Sequence, residues 1–284
     1  MQADILTKLV LPLSLFFIMF GMGLSLKVMD FKRIFAFPKA VAVGIVGQMV
    51  LLPLVAFAIA NLFKVPPELA VGLMIIALAP SGVTSNMYSY LFKGDVALSI
   101  SLTALVGFLS PFTIPLVVLW SSHYFIQTGQ SFDLPILKTI IQLLVITVVP
   151  VFFGMVFFKK WPNTAEKMER FFKWFSVIIM FVIIGLIMHK NWENMGQFFA
   201  DVGVATITLN VSVLILGFYL AKWSKLDKKQ SITIGFEVGL QNGTLAMVVA
   251  GSIIGNTTMM IPAVTYGLLM FITGGIYGWL VTRD

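Results

Sequence analysis

The sequence predicts an all-α integral membrane protein with nine transmembrane helices, two of them broken. Three observations carry that expectation. The 284-residue chain is 59% hydrophobic and only 11% charged, with a mean hydropathy of +0.98; a soluble domain needs more polar residue to clothe its surface. Apolar segments of about 20 residues, the length that crosses a bilayer, recur along the whole chain. Two of these segments are interrupted by polar and turn-forming residues, at Pro80-Ser81-Gly82-Val83-Thr84-Ser85-Asn86 and at Phe236-Glu237-Val238-Gly239-Leu240-Gln241-Asn242-Gly243-Thr244. Paired broken helices in two halves of a membrane protein point towards a transporter binding site.

The helices are expected at about 5–26, 39–62, 68–92, 96–120, 134–158, 171–189, 197–222, 230–254 and 259–281. The first ends in Phe20-Gly21-Met22-Gly23-Leu24, where small residues permit close helix contact. It lacks a basic leader and a small-residue cleavage site, so it reads as a retained span and not a signal peptide. Lys27 to Lys39, with Phe31, Phe35 and Phe37 interleaved, reads as an interfacial linker. The third helix breaks near Pro80–Gly82. On the fourth, Ser99, Thr103 and Gly107 share one face. A polar loop from Ser121 to Asp133 separates two halves, and a charged connector from Lys159 to Lys173 precedes the sixth helix.

Nine spans put the termini on opposite sides. Lys8, Lys64, Lys138 and Lys190 fall on the N-terminal side, which leaves 15 of the 19 basic residues for the other. The positive-inside rule then sets the N-terminus outside and the C-terminus in the cytoplasm of a cell-membrane protein. The net charge of +7 belongs to short loops between spans, which does not suggest nucleic acid as a partner; the partner is the lipid bilayer. There is no cysteine, so thiol chemistry is excluded.

A shift of about 161 residues lays Lys64-Val65 on Lys225-Leu226 and one break on the other; a shift of 162 lays Gln48 on Asn210. The first four helices (about 5–120) then match the last four (about 171–281) in opposite orientation, as an inverted repeat within one membrane domain, 1–284. The helix at about 134–158 has no counterpart.

Glu237 is the one acidic residue placed deep within a span. A charge there costs at least ~2.5 kcal/mol, so its default reading is functional. No mid-span Lys or Arg is available to pair with it. Its candidate neighbours Gln48, Ser85, Asn86, Ser99, Thr103, Gln241 and Asn242 bear oxygen, and carboxylate, hydroxyl and amide or backbone carbonyl oxygens suit a hard cation. Two alternatives stay open: a carboxyl that carries a proton, and a merely structural polar network. The half-helices that start after the breaks offer N–H groups and positive dipole ends to an anion. His123 and His189 lie in or near loops and read as surface residues. No catalytic His or Cys set and no paired acidic metal motif lies inside the membrane, so the chain does not read as an enzyme.

Phe20-Gly21-Met22-Gly23-Leu24-Ser25-Leu26-Lys27, Pro80 to Asn86, Gly94-Asp95-Val96-Ala97-Leu98-Ser99 and Glu237 to Asn242 together resemble the bile acid:sodium symporter family, in consistent order over about residues 15–280. The resemblance implies core and panel domains built from the inverted repeats, with the two broken helices crossing in the core. It marks this chain as a nine-helix, bacterial-type member without the first helix of ten-helix relatives. It implies two Na⁺ sites. One is formed by Ser85, Asn86, Ser99, Thr103 and Glu237, the other by Gln48, Glu237, Gln241 and the backbone carbonyls of Val238 and Leu240. Substrate, a small organic anion, is expected at the crossover near Val83, Thr84, Asn242 and Gly243. Ser81 replaces a frequent glycine, and Val83 stands where some relatives have threonine. The expected function is Na⁺-coupled import, by a monomer, of a bile acid, steroid sulfate or small carboxylate. A proton-coupled anion transporter and a non-transporting membrane sensor are the alternatives.

Overall fold

The computed structural model describes residues 5–126, 134–190 and 192–283. The chain enters through a π-helical turn, Leu6–Val10, into α1 (Leu11–Ser25). α2 (Val28–Ala36) follows, then α3 (Pro38–Val46), a π turn at Gly47–Leu51, and α4 (Leu52–Leu62). α5 (Pro67–Leu78) and α6 (Val83–Leu91) are separated by a non-helical break. α7 (Val96–Phe125) is continuous. α8 (Ile136–Leu143), a π turn at Leu144–Val148 and α9 (Val149–Lys160) form the next apolar rod. α10 (Pro162–Lys190) and α11 (Trp192–Trp223) are long. α12 (Lys228–Gly239) and α13 (Gly243–Val248) flank the second break; a π segment, Val249–Ile254, continues α13. A 3-10 turn, Thr258–Met260, leads into α14 (Ile261–Thr282).

Among the described residues, seven helices are long and apolar enough to cross a membrane. The other two expected spans are the broken ones. Their breaks divide them into segments, each too short to span by itself.

Three π turns share one cause. Pro12, Pro53 and Pro150 each follow a π segment by two residues. A proline ring clashes with the carbonyl four residues back and donates no N–H, and the wider π turn accommodates both. Gln48 sits in one of these turns.

Several boundaries move. The linker between the first two spans is a helix, α2. Its Asp30 accepts the Lys27 N–H at 2.8 Å and lies 3.3 Å from Arg33. Ser101 ties it to α7 through the Asp30 carbonyl at 2.9 Å. The fourth span runs on to Phe125, so only the later part of the expected Ser121–Asp133 loop is non-helical or outside the described residues. The charged connector expected up to Lys173 is mostly helical, because α10 starts at Pro162; proline at a first helical turn costs no hydrogen bond. This alters what Lys173 can reach.

Glycines set the closest helix approaches. A Cβ on Gly23 of α1 would lie 2.2 Å from the Val151 carbonyl oxygen of α9, and one on Gly154 of α9 would lie 2.4 Å from the Phe20 carbonyl oxygen. A Cβ on Gly21 would lie 2.4 Å from the Phe172 Cβ of α10. α1 and α9 therefore pack backbone to backbone, and α1 receives the Phe172 side chain of α10 at Gly21, approaches that no larger side chain permits.

Candidate functional site

The two breaks meet in the protein interior. Ser81 and Gln241 form an isolated antiparallel bridge, and the Asn242 N–H donates to the Pro80 carbonyl at 2.8 Å. Each break thus supplies part of the hydrogen bonding that the other lost when its helix stopped. Asn242 also caps α13, its Oδ1 accepting the Leu245 N–H at 3.0 Å.

Glu237 lies one turn before its break and is fully buried. Three hydroxyls donate to its carboxylate: Ser81 Oγ to Oε2 at 2.5 Å, Thr103 Oγ1 to Oε2 at 3.0 Å, and Ser99 Oγ to Oε1 at 2.6 Å. Ser99 and Thr103 also reach Asn86 Oδ1, at 2.8 and 3.3 Å. The Ser81 and Thr103 hydroxyls are 3.1 Å apart. Four of the five residues expected at the first Na⁺ site, Asn86, Ser99, Thr103 and Glu237, are therefore one connected network. The fifth, Ser85, is buried and turns its hydroxyl to the Gly82 carbonyl at 2.7 Å.

Of the second expected set, Gln48, Gln241, the Val238 carbonyl and the Glu237 backbone carbonyl are linked, while the Glu237 carboxylate is turned to the first set. Gln48 Nε2 lies 3.4 Å from Gln241 Oε1. Gln241 Nε2 donates to the Val238 carbonyl at 2.7 Å and the Glu237 carbonyl at 3.2 Å. Among the described residues Gln48 Oε1 is buried without a hydrogen-bond partner. An orphaned buried acceptor is costly, and an amide oxygen is a ligand type that suits a hard cation.

All four residues expected to meet substrate, Val83, Thr84, Asn242 and Gly243, line one cavity beside the break. Its other wall comes from α1, α10 and α14 and is mostly apolar, with Ile18, Val177, Met180, Met270 and Phe271 beside Lys173 and Ser176. A second cavity touches Pro80, Ser81 and Thr103 from the side of α1 and α9.

Four contributors lie outside the expected ligand sets. The sequence marks Ser81 only as a replacement for glycine, yet its hydroxyl is on the carboxylate. Asn210 Nδ2 and the Tyr266 hydroxyl both donate to the Gly239 carbonyl, at 2.7 and 2.9 Å. Thr273 in turn donates to Asn210 Oδ1. Gly239 ends α12, and its carbonyl is one that the break leaves without a helical donor. The polar Asn210 in mid-span was the available signal; nothing in the sequence marks Tyr266. We expect Tyr266→Phe to cost about 1 kcal/mol, one neutral hydrogen bond, with Asn210 still holding the carbonyl. The check is a modest fall in thermal midpoint of the purified protein with Na⁺-dependent stabilisation retained.

Interrupted membrane helices bonded to each other beside a buried, hydroxyl-ringed carboxylate are the architecture of a membrane transport protein. The chain belongs to the Sodium Bile acid symporter family, whose profile matches residues 12–198. It is 31% identical over 234 residues to an uncharacterized sodium-dependent transporter of Bacillus subtilis (strain 168), covering 82% of this chain and 71% of that protein. It is 29% identical over 245 residues to the human ileal sodium/bile acid cotransporter, covering 85% and 69% of the two chains. A probable chloroplastic sodium/metabolite cotransporter of Oryza sativa subsp. japonica is 26% identical over 260 residues, 92% of this chain and 63% of that one. The family is one of sodium-coupled transporters and not of enzymes.

Proposed function

We propose that the protein imports a small organic anion by Na⁺ symport, with Na⁺ as co-transported substrate. The observation that carries this reading is the Glu237 carboxylate, buried at the meeting of two helix breaks and ringed by Ser81, Ser99 and Thr103. Asn86, Ser99, Thr103 and Glu237, with Ser85 beside them, would hold one Na⁺. Gln48, Glu237, Gln241 and the carbonyls of Val238 and Leu240 would hold a second, with the orphaned Gln48 oxygen turned to use. Two cations against one carboxylate leave a surplus positive charge, which favours an anion in the cavity of Val83, Thr84, Asn242 and Gly243. Na⁺ and anion assist each other because both bind the same bonded pair of breaks, and each stabilises the arrangement that the other needs.

The same reading takes the chain as nine spans, seven continuous and two interrupted, in an inverted repeat with core and panel parts. Support comes from matched turns. Lys64 and Lys225 both have positive φ, 49° and 56°. Val65 N–H donates to the Ala60 carbonyl and Leu226 N–H to the Ala221 carbonyl, at 3.0 and 3.1 Å. These are the residues that the 161-residue shift superposes. The lysine distribution supports a cell-membrane protein with the N-terminus outside and the C-terminus in the cytoplasm. Function as a monomer is part of the proposal.

Uptake of labelled cholate, estrone sulfate and pyruvate into proteoliposomes tests it. At least one anion is expected to accumulate with an inward Na⁺ gradient and to stop when K⁺ or choline replaces Na⁺. Uptake indifferent to that replacement would refute sodium coupling, and uptake driven by a pH gradient alone would assign the coupling to a proton on Glu237.

A further inference from the structure

The proposed anion site has polar groups on the break side, but the side chains considered so far bring no positive charge to it. One cation does line the cavity: Lys173 of α10. Its position follows from helix geometry. Lys173, Ser176, Val177 and Met180 all line the cavity, and their spacing, i, i+3, i+4 and i+7, is one face of a helix. α10 is held in that orientation at both ends of the face. Phe172 packs against Gly21 of α1, and Met180 lies 4.0 Å from where a Gly267 Cβ of α14 would stand. Phe181 lies against Phe271 with ring centroids 5.5 Å apart and the planes tilted by 31°.

Among the described residues Lys173 has one ionic partner, Glu169 Oε1 at 2.6 Å, one turn back on α10. The lysine side chain is 55% exposed, and an i,i+4 pair on a helix surface is of little worth. An anion in the cavity can displace it at low cost. Across the cavity, Thr84 and Asn242 come from the two breaks, and Met180, Met270 and Phe271 make an apolar wall.

We propose that Lys173 is the specificity-determining cation of the substrate site. It reads the carboxylate or sulfate of an amphipathic anion whose apolar body lies against Met180, Met270 and Phe271, and Glu169 holds the lysine when the cavity is empty. This rests on the organic-anion reading above. The ammonium leaves one carboxylate for another, so no net charge is stranded in the cavity. Glu169 also competes with substrate, which sets a preference for ligands with a full negative charge over neutral analogues of the same body.

Equilibrium binding to the purified full-length protein in Na⁺ tests it. The probes are cholate, estrone sulfate and pyruvate, each paired with its neutral counterpart: methyl cholate, estrone and methyl pyruvate. Wild type should prefer an anion to its neutral partner. Lys173→Gln should weaken the anion by about tenfold, the scale of one charge-assisted hydrogen bond, and should abolish the preference for charge. Lys173→Arg should restore most of the affinity, and Glu169→Gln should tighten binding only slightly, by about twofold, the scale of one i,i+4 helix pair. If Lys173→Gln fails to fold, the Lys173→Arg and Glu169→Gln results decide alone. An anion bound equally by wild type and Lys173→Gln, a Lys173→Arg variant as weak as Lys173→Gln, or no tightening in Glu169→Gln overturns the role of Lys173 and leaves the organic-anion reading standing. Wild type that binds none of the three anions, with or without Na⁺, overturns that reading and the inference with it.

Discussion

Glu237→Ala is expected to abolish Na⁺-driven uptake while the protein still folds. The carboxylate is the single full negative charge in the network of Ser81, Asn86, Ser99 and Thr103, and the proposal shares it between both Na⁺ sets. Removing one partner of a buried charge pair costs on the order of 2–5 kcal/mol, so Na⁺ affinity should fall tens- to thousands-fold. Stability without Na⁺ should change far less, because the hydroxyls keep partners: Ser99 and Thr103 still reach Asn86, and Ser81 still reaches Thr103. Glu237→Gln keeps the shape and loses the charge, and should behave like the alanine variant in transport. Two measurements are needed together, uptake in proteoliposomes and the Na⁺-dependent rise in thermal midpoint. Retained Na⁺-driven transport in either variant would sink the site assignment.

Gly23→Ala should damage stability more than any other single added methyl considered for α1. The new Cβ would stand 2.2 Å from the Val151 carbonyl oxygen, and the reciprocal contact from Gly154 to the Phe20 carbonyl is 2.4 Å. Backbone on backbone cannot rotate away, so α1 and α9 must separate. Overpacking of this kind costs about 1–3 kcal/mol, and Gly23→Leu should exceed that range. Gly107→Ala on α7 is the control, since a Cβ there meets nothing within 4 Å. The readout is the thermal midpoint of purified variants. A Gly23→Ala protein as stable as Gly107→Ala would show that the α1–α9 spacing adjusts freely.

The membrane class and the two breaks were legible in the chain because both are written in local composition. An apolar run of about 20 residues has one stable fate in lipid, and a proline or glycine cluster with polar neighbours inside such a run must interrupt it. Glu237 was equally legible, since a lone carboxylate in an apolar span demands a partner whatever the fold. The resemblance of four motifs then supplied the ligand sets, and the fold gathers Asn86, Ser99, Thr103 and Glu237 into hydrogen-bonding distance.

Ser81, Tyr266 and Lys173 were not legible in that way. Outside a helix no periodicity says where a side chain points, and Ser81 lies within the break, where the bridge to Gln241 turns its hydroxyl onto the carboxylate. Tyr266 is one aromatic residue among many in apolar helices; only the packing of α14 on α12 shows that its hydroxyl meets the Gly239 carbonyl. Lys173 reads as the end of a charged connector because Glu166, Lys167, Glu169 and Arg170 precede it. Its place at the cavity depends on α10 running unbroken from Pro162 and being clamped between α1 and α14. The sequence by itself determined that this chain lives in a membrane, stops two of its helices midway and buries one acid there, because hydrophobic run length, helix breakers and the cost of an intramembrane charge act locally. Which hydroxyls satisfy that acid, which groups hold the broken helix end and which cation looks into the cavity were decided by contacts between residues far apart in the chain, and those are set only when the helices pack.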